Sequence, residues 1–118
     1  MIEQLIQISE DKKGSPITLY DVTGQCSYTE HILCVGVKNT IQLKAIENAY
    51  QTFLKQCRDT AVESDDFLVN PKVSGSSKSG WIILDLDGIV IHVITQDLRE
   101  FYELDKLFES QSTSVEHF

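Results

Sequence analysis

The sequence predicts a mixed α/β (α+β) domain in which a mixed β-sheet is flanked by helices, in the order α-β-β-α-β-β-β-α. Three observations predict it. The run His31-Ile32-Leu33-Cys34-Val35-Gly36-Val37 is apolar enough for a strand buried on both faces. Ile46, Ala49, Tyr50, Phe53, Leu54 and Cys57 then recur at helical spacing. Further on, Asp87-Gly88 separates two β-rich runs, the preferred signature of a two-residue hairpin turn.

Taken in order, Ile2, Leu5, Ile6 and Ile8 predict a short amphipathic helix that ends in the polar stretch Asp11-Lys12-Lys13-Gly14-Ser15-Pro16. A strand is expected over 17–22 and a second over 31–37. Asn39 with Gln42 three residues later is a helix start of the capping-box type, so a helix is expected over 40–58. From Asp59 to Gly80 the pattern loosens into a short strand at 67–69 and a mobile Ser/Gly-rich loop at 74–80. The hairpin follows, and Thr95 is placed to cap a last helix over 96–109, with Asp97 in the first turn where the helix dipole favours an acid. Residues 1–109 are expected to form one domain and 110–118 a disordered tail.

Composition narrows the function. The chain has 118 residues and 10 Lys plus Arg against 18 Asp plus Glu, a formal net charge of -8. One domain of this length buries enough surface to fold without disulfides or a structural metal. Three cysteines, Cys26, Cys34 and Cys57, without C-x-x-C spacing point to reduced thiols in a reducing compartment. No apolar run is long enough to span a membrane, and Met1-Ile2-Glu3-Gln4 lacks the basic start of a targeting peptide, so a cytoplasmic protein is expected. The acidic balance disfavours direct nucleic-acid binding, which relies on Lys and Arg at phosphates, and would steer the domain towards a basic protein surface.

Two asymmetries single out residues. Side chains alternate along the hairpin, so Ile82, Leu84, Leu86, Ile89, Ile91 and Val93 share one wholly aliphatic face. Trp81, Ile83, Asp85, Val90, His92 and Ile94 share the other, where Asp85 and His92 are diagonal neighbours that could hydrogen-bond. That pair either locks the sheet or takes part in a functional contact. In the last helix, Leu98, Phe101, Tyr102, Leu104, Leu107 and Phe108 spread over an arc about 220° wide at 100° per residue, where one core contact needs roughly 100°. One edge is left over, either covered by the domain or exposed to a partner.

Catalytic readings fare worse. Asp85-Leu86-Asp87-Gly88 is similar to the D-x-D-G opening of haloacid-dehalogenase phosphatases, but too little chain follows it. Asp85 and Asp87 could hold a divalent metal in a nucleotidyltransferase, yet no Gly-Ser phosphate motif precedes them: Gly36 is followed by Val37. Cys34 or Cys57 with His92 is a weaker arrangement, and the cysteines and histidines lack zinc-ligand spacing. No enzyme, cofactor or metal is expected.

The segment from Gly80 through Trp81, Asp85, His92 and Val93, followed by Arg99 and then Tyr102-Glu103-Leu104-Asp105-Lys106-Leu107-Phe108, resembles the ribosomal silencing factor, or Iojap-like, family. The resemblance spans roughly residues 1–109. It departs from the family's usual pattern at Thr29-Glu30, at Gly36–Thr40, at Ser74-Gly75, and at Phe108, where tryptophan is frequent. It implies a nucleotidyltransferase-like fold that binds the large ribosomal subunit through its universal protein fourteen, blocks joining of the small subunit and represses translation when nutrients are scarce. A second copy of the chain is a further candidate partner. The docking face is expected to be formed or supported by Trp81, Asp85, His92, Arg99, Tyr102 and Leu104, with Tyr102 and Leu104 as anchors.

Overall fold

The computed structural model describes residues 1–60, 72–86 and 88–118. Its elements are α1 (Ile2–Asp11), β1 (Ile17–Asp21), β2 (His31–Val37), α2 (Thr40–Thr60), β3 (Lys72–Ser76), a 3-10 turn (Ser77–Ser79), β4 (Trp81–Leu86), β5 (Ile89–Thr95), α3 (Gln96–Phe101), α4 (Leu104–Ser110) and β6 (Ser114–His117). Six strands form one mixed sheet in the order β3-β4-β5-β2-β1-β6. Among the described strands β2 and β5 run parallel, in the middle, where both are buried on both faces, as the continuous apolar run of β2 predicts.

Strand alternation divides the core in two. Leu33, Val35 and Val37 of β2 and the aliphatic hairpin face pack under α1 and α2, against Leu5, Leu43, Ile46, Tyr50 and Leu54. Here α2 begins as its sequence predicts: the Gln42 N–H donates to Asn39 Oδ1 at 2.9 Å, and Gln42 returns its own side-chain oxygen to the Lys38 N–H at 2.7 Å. The buried Ser9 hydroxyl donates to the Leu5 carbonyl and shares a short hydrogen bond with the Tyr50 hydroxyl, a satisfied polar contact between α1 and α2. The opposite sheet face carries a second cluster, Tyr20, Val22, Ile32, Cys34 and Ile94, covered by Leu104 and Phe108 of α4.

The hairpin has the predicted register, Leu86 opposite Ile89 through Trp81 opposite Ile94. Four expectations fail. The last helix is not continuous over 96–109: it breaks at Tyr102, and Glu103 takes a left-handed conformation with φ 50° before α4 begins. Thr95 is the N-cap of α3, but its side chain makes no capping bond; its N–H instead donates to the Gly80 carbonyl at 2.9 Å. The Ser/Gly-rich stretch 74–80 is not a mobile loop, because Lys72–Ser76 pairs antiparallel with β4 and a reciprocal Ser76–Ser79 capping box holds the turn behind it. Gly75 permits that pairing: it has φ 80°, and an added Cβ would lie 2.3 Å from the Trp81 carbonyl oxygen.

The fourth failure is the tail. Instead of fraying, residues 114–117 form β6 along the free edge of β1, with the Thr113 N–H donating to the Asp21 carbonyl and the Phe118 N–H to the Ile17 carbonyl. Backbone pairing, which needs no strong side-chain pattern, outweighs the weak propensity of this segment. The strand expected at 67–69 lies outside the described residues, as does Asp87.

Candidate functional site

The hairpin face opposite α1 and α2 supplies the base of the site. His92 is buried there, and the Trp81 indole N–H donates to its Nδ1 at 3.1 Å. Because indole can only donate, Nδ1 must carry a lone pair, and His92 is the neutral tautomer protonated at Nε2. Burial pushes its pKa down to about 4, which agrees with that assignment. Asp85 is diagonal to His92 as predicted, but no hydrogen bond forms between them. Residues 81 and 85 flank the His92 partner Ile83 along β4, and the histidine is taken by the tryptophan at the other diagonal.

From this base an aromatic series runs outward and inward. Trp81 packs on Tyr102 with ring centroids 5.6 Å apart, and Tyr102 meets Phe101 edge-on at 5.0 Å. In the other direction His92 packs on Phe108 at 5.0 Å, and Phe108 on Tyr20 at 5.4 Å. Offset and tilted contacts of this kind suit the ring quadrupoles and hold each ring by its neighbours. The outermost rings therefore stand on a rigid base.

The α3–α4 break sorts the wide apolar arc. Leu98, Leu104 and Phe108 turn into the second core, while Phe101 (75% exposed), Tyr102 (52%) and Leu107 (49%) remain outside. Leu104, expected as an anchor, is 4% exposed, so any part it takes in docking is through support. Phe101 and Leu107, part of the wide arc but not among the expected docking residues, are left outside beside Tyr102. Their signal was the width of the arc, but the helix break that decides which side faces out has no proline or glycine to mark it.

Arg99 is also buried, at 1% exposure. Its Nε and Nη2 donate to the two carboxylate oxygens of Asp105 at 2.9 and 2.7 Å, Nη1 donates to the Pro16 carbonyl at 2.7 Å, and Nη2 also reaches Thr18 Oγ1 at 3.1 Å. The Tyr20 hydroxyl donates to Asp105 as well. Burial alone would raise the Asp105 pKa, but the Arg99 and Tyr20 hydrogen bonds outweigh it and hold the carboxylate below its ordinary range. Arg99 thus clamps α3 and α4 to β1 beneath the exposed rings. Spaced six apart, Arg99 and Asp105 would not face each other on a continuous helix, so only the break brings them together.

The groups named for the catalytic alternatives do not converge among the described residues. Among the described residues no three His, Cys, Asp or Glu side chains gather where they could hold a metal ion. Asp87, the second acid of the metal reading, lies outside the described residues. Burial pushes the Cys34 thiol up to about 12, far from a thiolate at neutral pH, and Cys57 belongs to α2 on the other side of the sheet from His92. Among the described residues no helix is long and apolar enough to cross a membrane. What the site presents outward is an aromatic and leucine surface on a braced base.

Comparison with known proteins is specific. Residues 1–118 match the family described as "ribosomal silencing factor during starvation". This chain belongs to the ribosomal silencing factor family, a family of ribosome-associated translation regulators. It is 28% identical over 109 residues to ribosomal silencing factor RsfS of Haemophilus influenzae, covering 92% of this chain and 97% of that one. It is 24% identical over 111 residues to the mouse protein named for mitochondrial assembly of the ribosomal large subunit, covering 94% of this chain and 46% of the mouse protein. The fold is similar to a crystal structure from Chromobacterium violaceum, with a TM-score of 0.73 at 22% identity over 96% of this chain and 87% of that one. A structure from Bacillus halodurans superposes with a TM-score of 0.67 at 22% identity, covering 90% of each chain.

Proposed function

We propose that this protein binds the large ribosomal subunit through its universal protein fourteen and, seated there, sterically blocks joining of the small subunit, repressing translation when nutrients are limiting. It acts in the cytoplasm by occupying a surface and catalyses no reaction. The observation that carries the reading is the exposed patch of Phe101, Tyr102 and Leu107, three large apolar side chains side by side on a base braced by Trp81, His92 and Arg99. Large apolar side chains cost free energy in water, and aromatic anchors of this kind dominate the energetics of protein interfaces. Family membership supplies the ribosome, and the name of the mouse relative also concerns a ribosomal large subunit. The net charge of -8 favours approach to a basic ribosomal protein over bare phosphate.

On this reading Tyr102, half exposed, makes contact, with Trp81 and Asp85 at its partly exposed edge. His92, Arg99 and Leu104 support from within. Co-sedimentation with isolated large subunits, small subunits and assembled ribosomes tests the reading. The wild-type protein is expected to travel with free large subunits and to prevent their pairing. Tyr102→Ala should weaken binding by about 1–2 kcal/mol, roughly five- to thirtyfold, with its circular dichroism spectrum unchanged. A folded Tyr102→Ala protein that binds as tightly as wild type would remove the patch from the interface.

A further inference from the structure

Glu103 connects α3 to α4 with φ 50° and ψ 45°, a left-handed conformation that glycine and asparagine adopt with less strain. It is also the N-cap of α4, a position favoured for short polar side chains that bond the free N–H groups of the first turn, and its own side chain makes no such bond. Its carboxylate forms no hydrogen bond or ion pair with any described residue, Lys106 three residues on included. Local structure thus gives two reasons for a different residue at this point and none for glutamate. What distinguishes the position is its surroundings: Glu103 lines an open groove with Tyr102, Lys106, Leu107 and Ser110, at the margin of the exposed apolar patch.

We infer that Glu103 is a specificity-determining residue of the docking face, its carboxylate held out to pair with a lysine or arginine that borders the pocket receiving Tyr102. The inference rests on the docking reading above and names the partner chemistry at its rim: an apolar recess for an aromatic ring with a cation beside it. The break in the helix serves both requirements, since the same left-handed residue that ends α3 beside Tyr102 starts α4, which carries Leu107, and lines one groove with both. A charge at the rim of an interface acts on partner choice, association rate and salt dependence more than on total affinity.

Titration of large subunits by co-sedimentation, at low and at high ionic strength, separates this local pairing from the pull of the overall charge. Glu103→Gln keeps the shape and removes the charge; Glu103→Gly also relieves the backbone strain, so a loss shared by both variants does not stem from misfolding. Glu3→Gln, on α1 at the opposite face of the sheet, makes the same change in net charge elsewhere. The expected result is that both Glu103 variants bind about fivefold more weakly at low ionic strength, that the difference closes as salt screens the pair, and that Glu3→Gln binds as wild type. Wild-type binding with an undiminished Glu103→Gln, or an equal loss in Glu3→Gln, overturns the role of Glu103 and leaves the docking reading standing. Absence of wild-type binding overturns the docking reading, and the role of Glu103 with it.

Discussion

Arg99 shows how a single side chain can belong to a site without touching what binds there. Its guanidinium satisfies a carboxylate, a backbone carbonyl and a threonine hydroxyl from inside the second core, and Asp105 in turn accepts from Tyr20. Geometry of this kind needs the planar fork of arginine, which lysine cannot reproduce. Arg99→Lys is therefore expected to cost about 2 kcal/mol, less than the loss of a fully buried pair because Asp105 is half exposed. Urea unfolding checks the value, and binding should weaken only as far as the α3–α4 corner loosens. An exposed-surface role for Arg99 predicts the reverse, with stability unchanged and binding lost.

Among the elements, the terminal strand departs furthest from expectation. Residues 113–118 lie on β1, and their backbone hydrogen bonds are what the chain would lose on truncation. At roughly 0.5–1 kcal/mol net for each ladder bond, removing residues 113–118 should cost about 2 kcal/mol and lower the melting temperature by about 8 °C, measured by circular dichroism. The shortened protein would also expose the edge of β1, whose free N–H and C=O groups invite pairing with another chain. If melting is unchanged, β6 contributes nothing to the fold. The α3–α4 break lies at the same scale: one residue in a left-handed conformation converts a single amphipathic helix into two, and with that it chooses which aromatic side chains face water.

For the whole molecule, stability should depend on pH through the two groups that brace the corner. The His92 pKa falls from 6.5 to about 4 on folding because burial disfavours the imidazolium, so between those values the unfolded chain binds a proton that the native protein does not. Stability is complete above pH 6.5 and declines as pH falls towards 4, by about 3 kcal/mol in all. Asp105, held low by Arg99 and Tyr20, adds a second loss below its unfolded value of 3.8, as pH falls through its still lower folded value. His92→Gln keeps an acceptor for the Trp81 indole but does not titrate. Chemical denaturation across this range should show the upper part of the acid limb flattened in that variant. An unchanged limb would mean that other groups carry the proton uptake.

Much of the fold was legible because it rests on local periodicity. The apolar run of β2, the helical spacing of α2 with its Asn39–Gln42 start and the hairpin on either side of residue 88 each specify an element through side chains only a few residues apart, and the faces of the hairpin follow from alternation alone. The family signature in the Trp81–Phe108 stretch was legible for the same reason. Contacts that join distant parts of the chain were not. Whether 72–76 and 114–117 are strands depends on the free edges of β4 and β1 that receive them. Whether Arg99 or Leu104 faces a partner or the core depends on where the last helix breaks, and no proline or glycine signals the break at Tyr102 and Glu103. Side-chain pattern along the chain therefore determined the four central strands, the two faces of the hairpin and the surplus of apolar surface in the last helices. Only tertiary structure decided which side chains that surplus leaves in water, because burial is settled by what packs against a residue and not by the residue alone.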